Sequence, residues 1–212
     1  DHRDLHSFPT RRSSDLHERI GVVELFGRNS GETSLISAYL SHVDRAIISE
    51  VPFDMDRLAN FLLEDKRYSP SNYSIMTVSE GSTFKGGEII ETGETDAYGH
   101  RKLGGIGEII AEEIKRITGQ HTMYQKLGYL MRSGPPDSLD RMVAMSFGTL
   151  AFQLVKNNDY GKMTALKDGI YATFPLDQVT NGKKIVDVDS YYDTENYKPH
   201  VKNVLGHPMF LR

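Results

Sequence analysis

The sequence predicts an α/β fold, doubly wound, with a largely parallel sheet and helices on both faces. Three observations predict it. From His17 onward, β-rich runs alternate with segments of helical periodicity. The first run, "IGVVELF", is almost continuously β-forming, as a strand covered on both sides is. No internal repeat or low-complexity tract competes with this reading.

The elements follow in order. After the strand at 20–26, "GRNSGETS" leads into a helix whose predicted inner face holds Leu35, Ile36, Tyr39, Leu40 and Val43. "RAIISEV" (45–51) is strand-like, "MDRLANFLLED" (55–65) helical, and "YSIMTVSE" (73–80) strand-like again. Between Gly81 and Gly105 lies a glycine-rich insert with a small hairpin at "GGEIIETGE". Ile106, Ile109, Ile110, Ile114 and Ile117 then define a helix that Gly119 stops. "TMYQKLGYL" (122–130) is the fourth main strand. Asp137 caps a helix that carries Leu139, Met142, Val143, Phe147, Leu150 and Leu154 inward, with Asp140 in the first turn, where the macrodipole favours a carboxylate. A hairpin turning at Asp168-Gly169 precedes irregular structure.

Composition narrows the function. The 212 residues are 38% hydrophobic and 25% charged, enough for one sizeable domain or one domain and part of another. A net charge of −4 without a basic block argues against nucleic acid as the main partner, and there is no apolar run long enough to span a membrane. With no cysteine there are no disulfides or thiolate metal sites, which fits a reducing cytoplasm. The eight histidines show no spacing such as HExxH, so no protein-held metal is expected. Met142 and Met145 are expected in the core, and Glu112-Glu113 on a solvated helix face. Residues 1–16, "DHRDLHSFPTRRSSDL", are arginine- and serine-rich without periodicity and resemble a translated sequencing adapter. The segment is expected to be non-native, with native chain from His17.

Three strand patterns end in a charged group: Arg28, Glu80 and Arg132. If the strands are parallel, these groups share one sheet edge, where open α/β sheets bind ligands. Two guanidiniums and a carboxylate suit a ligand with both a phosphate and hydroxyls. Asn29-Ser30-Gly31 would add helix N–H groups to an anion site. Arginines at strand ends are also commonly just solvated, and spacing alone does not choose. "GETDAYGHRKLGGIGE" (93–108) reads better as a glycine-rich crossover than as a nucleotide loop, because "GGIG" follows a loop instead of a strand.

"HERIGVVELFGRNSGETSLISAYLSHVDRAIISEVPFD" and "LGYLMRSGPPDSLDRMVA" resemble the carboxyl half of bacterial-type 6-phosphofructokinases. "ELFGRNSGE", "GHRKLGGIGE" and "GYLMRSG" resemble the branch that includes pyrophosphate-using and mixed-donor members, and the likeness covers 17–212. It implies an incomplete phosphofructokinase-like fold, a cytoplasmic glycolytic enzyme, and transfer of a phosphoryl group from ATP or pyrophosphate to C1 of fructose 6-phosphate, giving fructose 1,6-bisphosphate. Mg²⁺ would come with the donor.

By motif, Arg19 matches an arginine that reaches the sugar's 6-phosphate across a subunit boundary, which implies a homo-oligomer with shared sites. Phe26, Gly27 and Arg28 match a Met-Gly-Arg triplet lining the sugar, and Arg28 is the residue nearest the transferring phosphoryl group. Glu80 matches the carboxylate on a sugar hydroxyl. Tyr129, Leu130, Met131 and Arg132 match the His-x-x-Arg segment at the 6-phosphate, with tyrosine where histidine is usual. Where the pattern has a second cross-subunit arginine, Met123 stands here. Lys126, three positions on, points to the opposite face of a strand. The resembled family's glycine-rich donor loop and Thr-x-Asp base lie in its amino half and are not found here. This leaves a fragment not expected to be active alone, or, alternatively, a non-catalytic sugar-phosphate-binding regulatory module.

Overall fold

The computed structural model describes residues 18–86, 91–95, 101–103, 105–181 and 185–201. The elements run β1 (Ile20–Leu25), α1 (Glu32–Ser41), β2 (Arg45–Ile47), α2 (Met55–Tyr68), β3 (Ser74–Ser79), β4 (Glu91–Thr95), β5 (Arg101–Leu103), α3 (Ile106–Thr118), β6 (Thr122–Lys126), a 3-10 helix (Gly128–Arg132), α4 (Ser138–Lys156), β7 (Lys162–Lys167), β8 (Ile170–Pro175), α5 (Leu176–Asn181), α6 (Val188–Tyr191), β9 (Tyr192–Asp193) and β10 (Lys198–Pro199). The chain divides into two compact units: one running to Met131 and resuming at Ile185, the other beginning at Arg132.

The first unit is a parallel sheet in the order β2-β3-β1-β6 with helices against it. All six residues of β3 are buried, because its two faces are both covered. Thr77 donates to the Ser34 carbonyl of α1 at 3.1 Å, while Ser74, on the other face of the pleat, donates to the Leu62 carbonyl of α2 at 2.9 Å. Leu58 and Leu62 of α2 and Ile106, Ile110 and Ile114 of α3 lie fully inside. Each such side chain is worth roughly 1.5–3 kcal/mol of transfer free energy. Asp54 caps α2, and Gly119, at φ 67°, ends α3.

Several expectations are corrected. The inner face of α1 is Ser34, Leu35 and Ala38, while Tyr39 and Leu40 are exposed; Ser34 can face inward because its hydroxyl donates to the Ile47 carbonyl at 3.0 Å. The strand expected at 45–51 stops at Ile47. Of the expected hairpin "GGEIIETGE", residues 87–90 lie outside the described residues; among the described residues Glu91–Thr95 pairs antiparallel with Arg101–Leu103. The fourth strand ends at Lys126: Gly128 turns at φ 45°, and the Leu130 N–H donates to Leu127 O at 2.9 Å, so Arg132 closes a 3-10 helix and not a strand.

The segment after the second unit is not irregular throughout. Tyr192 and Tyr197 are buried in the first unit, beside β2. The Tyr192 hydroxyl donates to Ala46 O at 2.6 Å, and the Ala46 N–H donates to Tyr197 O at 2.8 Å.

In the second unit α4 starts with a reciprocal capping box between Asp137 and Asp140, as expected. β7 and β8 turn at Asp168 (φ 52°) and Gly169 (φ 79°), both left-handed, the geometry that matches hairpin twist. The inner face of α4 is corrected: Val143, Phe147, Leu150 and Leu154 are only half-buried, while Leu139, Met142 and Met145 are exposed instead of in a core. A two-stranded hairpin covers only part of a helix, and Phe147 meets Tyr171 edge to face at 5.9 Å.

Candidate functional site

Because β1, β3 and β6 are parallel, their carboxyl ends do share one edge. Phe26, Gly27 and Arg28, all half-buried, leave the end of β1, and Glu80 follows β3 directly. The two exits are stitched together: the Glu80 N–H donates to Leu25 O at 3.0 Å, the Gly81 N–H to Gly27 O at 3.1 Å, and the Gly27 N–H to Glu80 Oε1 at 3.5 Å. Burial pushes the Glu80 carboxyl above its ordinary range. The Gly27 N–H, Lys126 and Arg28 oppose that shift, and Glu24 adds to it. Arg28 and Glu80 are thus brought together as expected.

The other expected residues are placed differently. Arg19 precedes β1, at the opposite edge of the sheet, with the whole six-residue strand, about 20 Å long, between it and the loop that carries Arg28. Leu130, Met131 and Arg132 are exposed on the 3-10 helix, and Arg132 opens the second unit. The Tyr129 side chain lies outside the described residues. Met123 and Lys126 do face opposite sides of β6.

Lys126 ends instead on a carboxylate that the sequence reading passed over. Glu24, 1% exposed, pairs with Lys126 Nζ at 3.0 Å and accepts from the Tyr124 hydroxyl at 3.0 Å and from the N–H groups of Gly107 at 2.9 Å and Gly105 at 3.1 Å. Burial, then the neighbouring Glu24 charge, pushes the Tyr124 phenol far up. Glu24 therefore fills the start of α3 with the protein's own anion. No side chain fits at Gly107, where a Cβ would stand 2.7 Å from the Tyr124 ring.

The start of α1 is also filled: Glu50 takes the Gly31 N–H with both oxygens (3.0 and 2.9 Å) and the Val186 N–H at 2.8 Å. The Gly31 N–H, one of the groups expected to be free at Asn29-Ser30-Gly31, is thus already taken. The one readable trace of Glu24 was an acid inside "VVELF". Glu50 left none.

A cavity of about 370 Å³ lies elsewhere, at the amino edge of the sheet among Ser41, Asp44, Asp65 and Tyr68. Among the described residues no three histidine or acidic side chains gather to hold a metal, and no helix is long and apolar enough to cross a membrane.

Comparison with known proteins gives consistent results. The family model described as Phosphofructokinase matches residues 9–155. A pyrophosphate--fructose 6-phosphate 1-phosphotransferase of Amycolatopsis mediterranei (strain S699) is 34% identical over 184 residues, covering 86% of this chain and 53% of that protein. One from Thermoproteus tenax is 36% identical over 170 residues, covering 80% and 48%. An ATP-dependent 6-phosphofructokinase of Spirochaeta thermophila is 32% identical over 178 residues, covering 84% and 48%. The chain spans about half the length of the curated relatives it matches. The crystal structure of a pyrophosphate-dependent phosphofructokinase from Marinobacter aquaeolei superposes with a TM-score of 0.66 at 14% identity, covering 92% of this chain and 54% of that one, which shows the shared fold.

Proposed function

We infer the function from one premise: the chain belongs to the phosphofructokinase family. On our reading, residues 17–212 are the sugar-phosphate-binding half of a phosphotransferase that acts on the C1 hydroxyl of fructose 6-phosphate. The observation that carries this is the meeting of Arg28 and Glu80 at one sheet edge, with the Gly27 N–H between them. Glu80 accepts from a sugar hydroxyl. Arg28, permanently charged, neutralises charge that develops on the transferring phosphoryl group. Arg132, with Tyr129, Leu130 and Met131, is assigned to the 6-phosphate.

The donor, ATP or pyrophosphate, and its Mg²⁺ belong in this reading to the half outside the chain. The far position of Arg19 supports its service to a neighbouring subunit in a homo-oligomer, because it stands too distant to reach Arg28 of its own chain. A cytoplasmic location completes the assignment.

The test uses a longer chain that carries the donor half. Arg132→Ala should raise the KM for fructose 6-phosphate about a hundredfold, since a charge-assisted pair worth about 3 kcal/mol is lost, and leave the KM for the donor nearly unchanged. Arg132→Lys should recover only part of it, lacking the planar fork. Damage confined to the donor's kinetics would refute the assignment.

A further inference from the structure

We propose that Ser49 and Ser79 are positioning residues of this site, holding the Gly27 carbonyl so that Arg28 and Glu80 are set against each other before a ligand arrives; this rests on the reading of that edge as a sugar-phosphate site. Both serine hydroxyls lie 2.6 Å from Gly27 O and 2.8 Å from each other, and the Gly81 N–H reaches the same oxygen at 3.1 Å. Segments leaving three strands therefore converge on one carbonyl: Ser49 beyond β2, Ser79 at the end of β3, and Gly27 beyond β1.

Two hydroxyl protons serve three short contacts. Both hydroxyls are aimed at the carbonyl as donors, so side chains from two different segments grip one oxygen, which a single hydroxyl could not hold as firmly. The packing leaves no slack. A Cβ on Gly27, whose φ is 151°, would stand 2.1 Å from Ser79 Oγ, and one on Gly81 would stand 1.9 Å from Arg28 O.

The far end of the same loop is held by the next residue in sequence. Glu50 grips the Gly31 N–H, so consecutive residues 49 and 50 pin Gly27 and Gly31, and Arg28 is one of the three residues between them. Ser79 is fully buried and cannot touch a ligand. It acts through Gly27, whose N–H faces Glu80 and whose carbonyl faces the clamp. A loop already in its bound shape loses less freedom on binding, which is the benefit of preorganisation.

The test uses the 212-residue chain itself, labelled with ¹⁵N, and two probes, fructose 6-phosphate and inorganic phosphate. Ser49→Ala combined with Ser79→Ala should weaken fructose 6-phosphate binding about tenfold or more and raise the mobility of the Gly27 and Arg28 amides, with less loss for inorganic phosphate. Ser49→Thr, which keeps a hydroxyl at a half-buried position, should retain wild-type affinity. If the double variant unfolds, Ser49→Ala alone should still show a smaller loss in the same direction.

Loosened amides with unchanged affinity would overturn the positioning role, and rigid amides in the double variant would overturn the clamp. Failure of the unmodified chain to bind fructose 6-phosphate would sink the sugar-phosphate reading and this role with it, while the amide mobilities would still show whether the serines hold the loop.

Discussion

The helices α3 and α4 both carry apolar residues at helical spacing and meet unlike fates. α3 buries Ile106, Ile110 and Ile114 completely between a sheet and a second helix, whereas the longer α4, in the other unit, buries no residue and leaves Met145 75% and Phe152 68% exposed. Periodicity states which face of a helix is apolar. How deeply that face is covered depends on what the fold places against it, and a two-stranded hairpin is a small cover.

The contrast can be tested at its extremes. Ile110→Ala should cost about 2–5 kcal/mol in denaturant unfolding, because it opens a cavity in a closed core. Glu24→Gln comes next at about 1–3 kcal/mol. Every partner of that carboxylate is a donor, so an amide nitrogen among them leaves at least one unsatisfied; a negligible loss would mean that α3 does not depend on its internal anion. Met145→Gln should fall within about 0.5 kcal/mol. If it proved as damaging as Ile110→Ala, the α4 surface would be covered in solution and the comparison would break.

The smallest effect carries the opposite sign. Glu80 is a carboxylate that burial disfavours, so its ionised form opposes folding. Its folded pKa lies above the unfolded one. Stability is therefore greater below the ordinary carboxylate range and declines as pH rises through the folded pKa. Glu80→Gln should raise Tm modestly at pH 7, and the gain should vanish in acid, where both side chains are neutral. A loss at pH 7 would show that Arg28 and Lys126 outweigh burial.

Strong local pattern was readable in the sequence: β1, β3, α2, α3 and the hairpin at Asp168-Gly169 follow from periodicity, caps and turn residues. The shared edge that carries Arg28 and Glu80 followed from strand direction. The stop at Lys126 was hidden because Leu127, Leu130 and Met131 continue an apolar run past the point where Gly128 turns the chain. Glu24 and Glu50 were hidden for a different reason. Their partners lie 19 to 136 positions away, and no local window contains both a buried acid and the amides that make it tolerable. Tyr192, beside Tyr191, and Tyr197 stand in a polar tail, and only the tertiary fold reveals their value.

That tail has a consequence for synthesis. β2 is an edge strand whose Ala46 amide and carbonyl are closed off by Tyr197 and Tyr192, and its Arg45 guanidinium reaches the Asn196 carbonyl, 151 positions later. A ribosome working at about 5–20 residues per second needs roughly 8–30 s to make that stretch. For all of that time the nascent sheet offers an open edge to any other extended chain, the condition under which strands pair with the wrong partner. The residues that close it emerge only about 150 positions after the strand they cover.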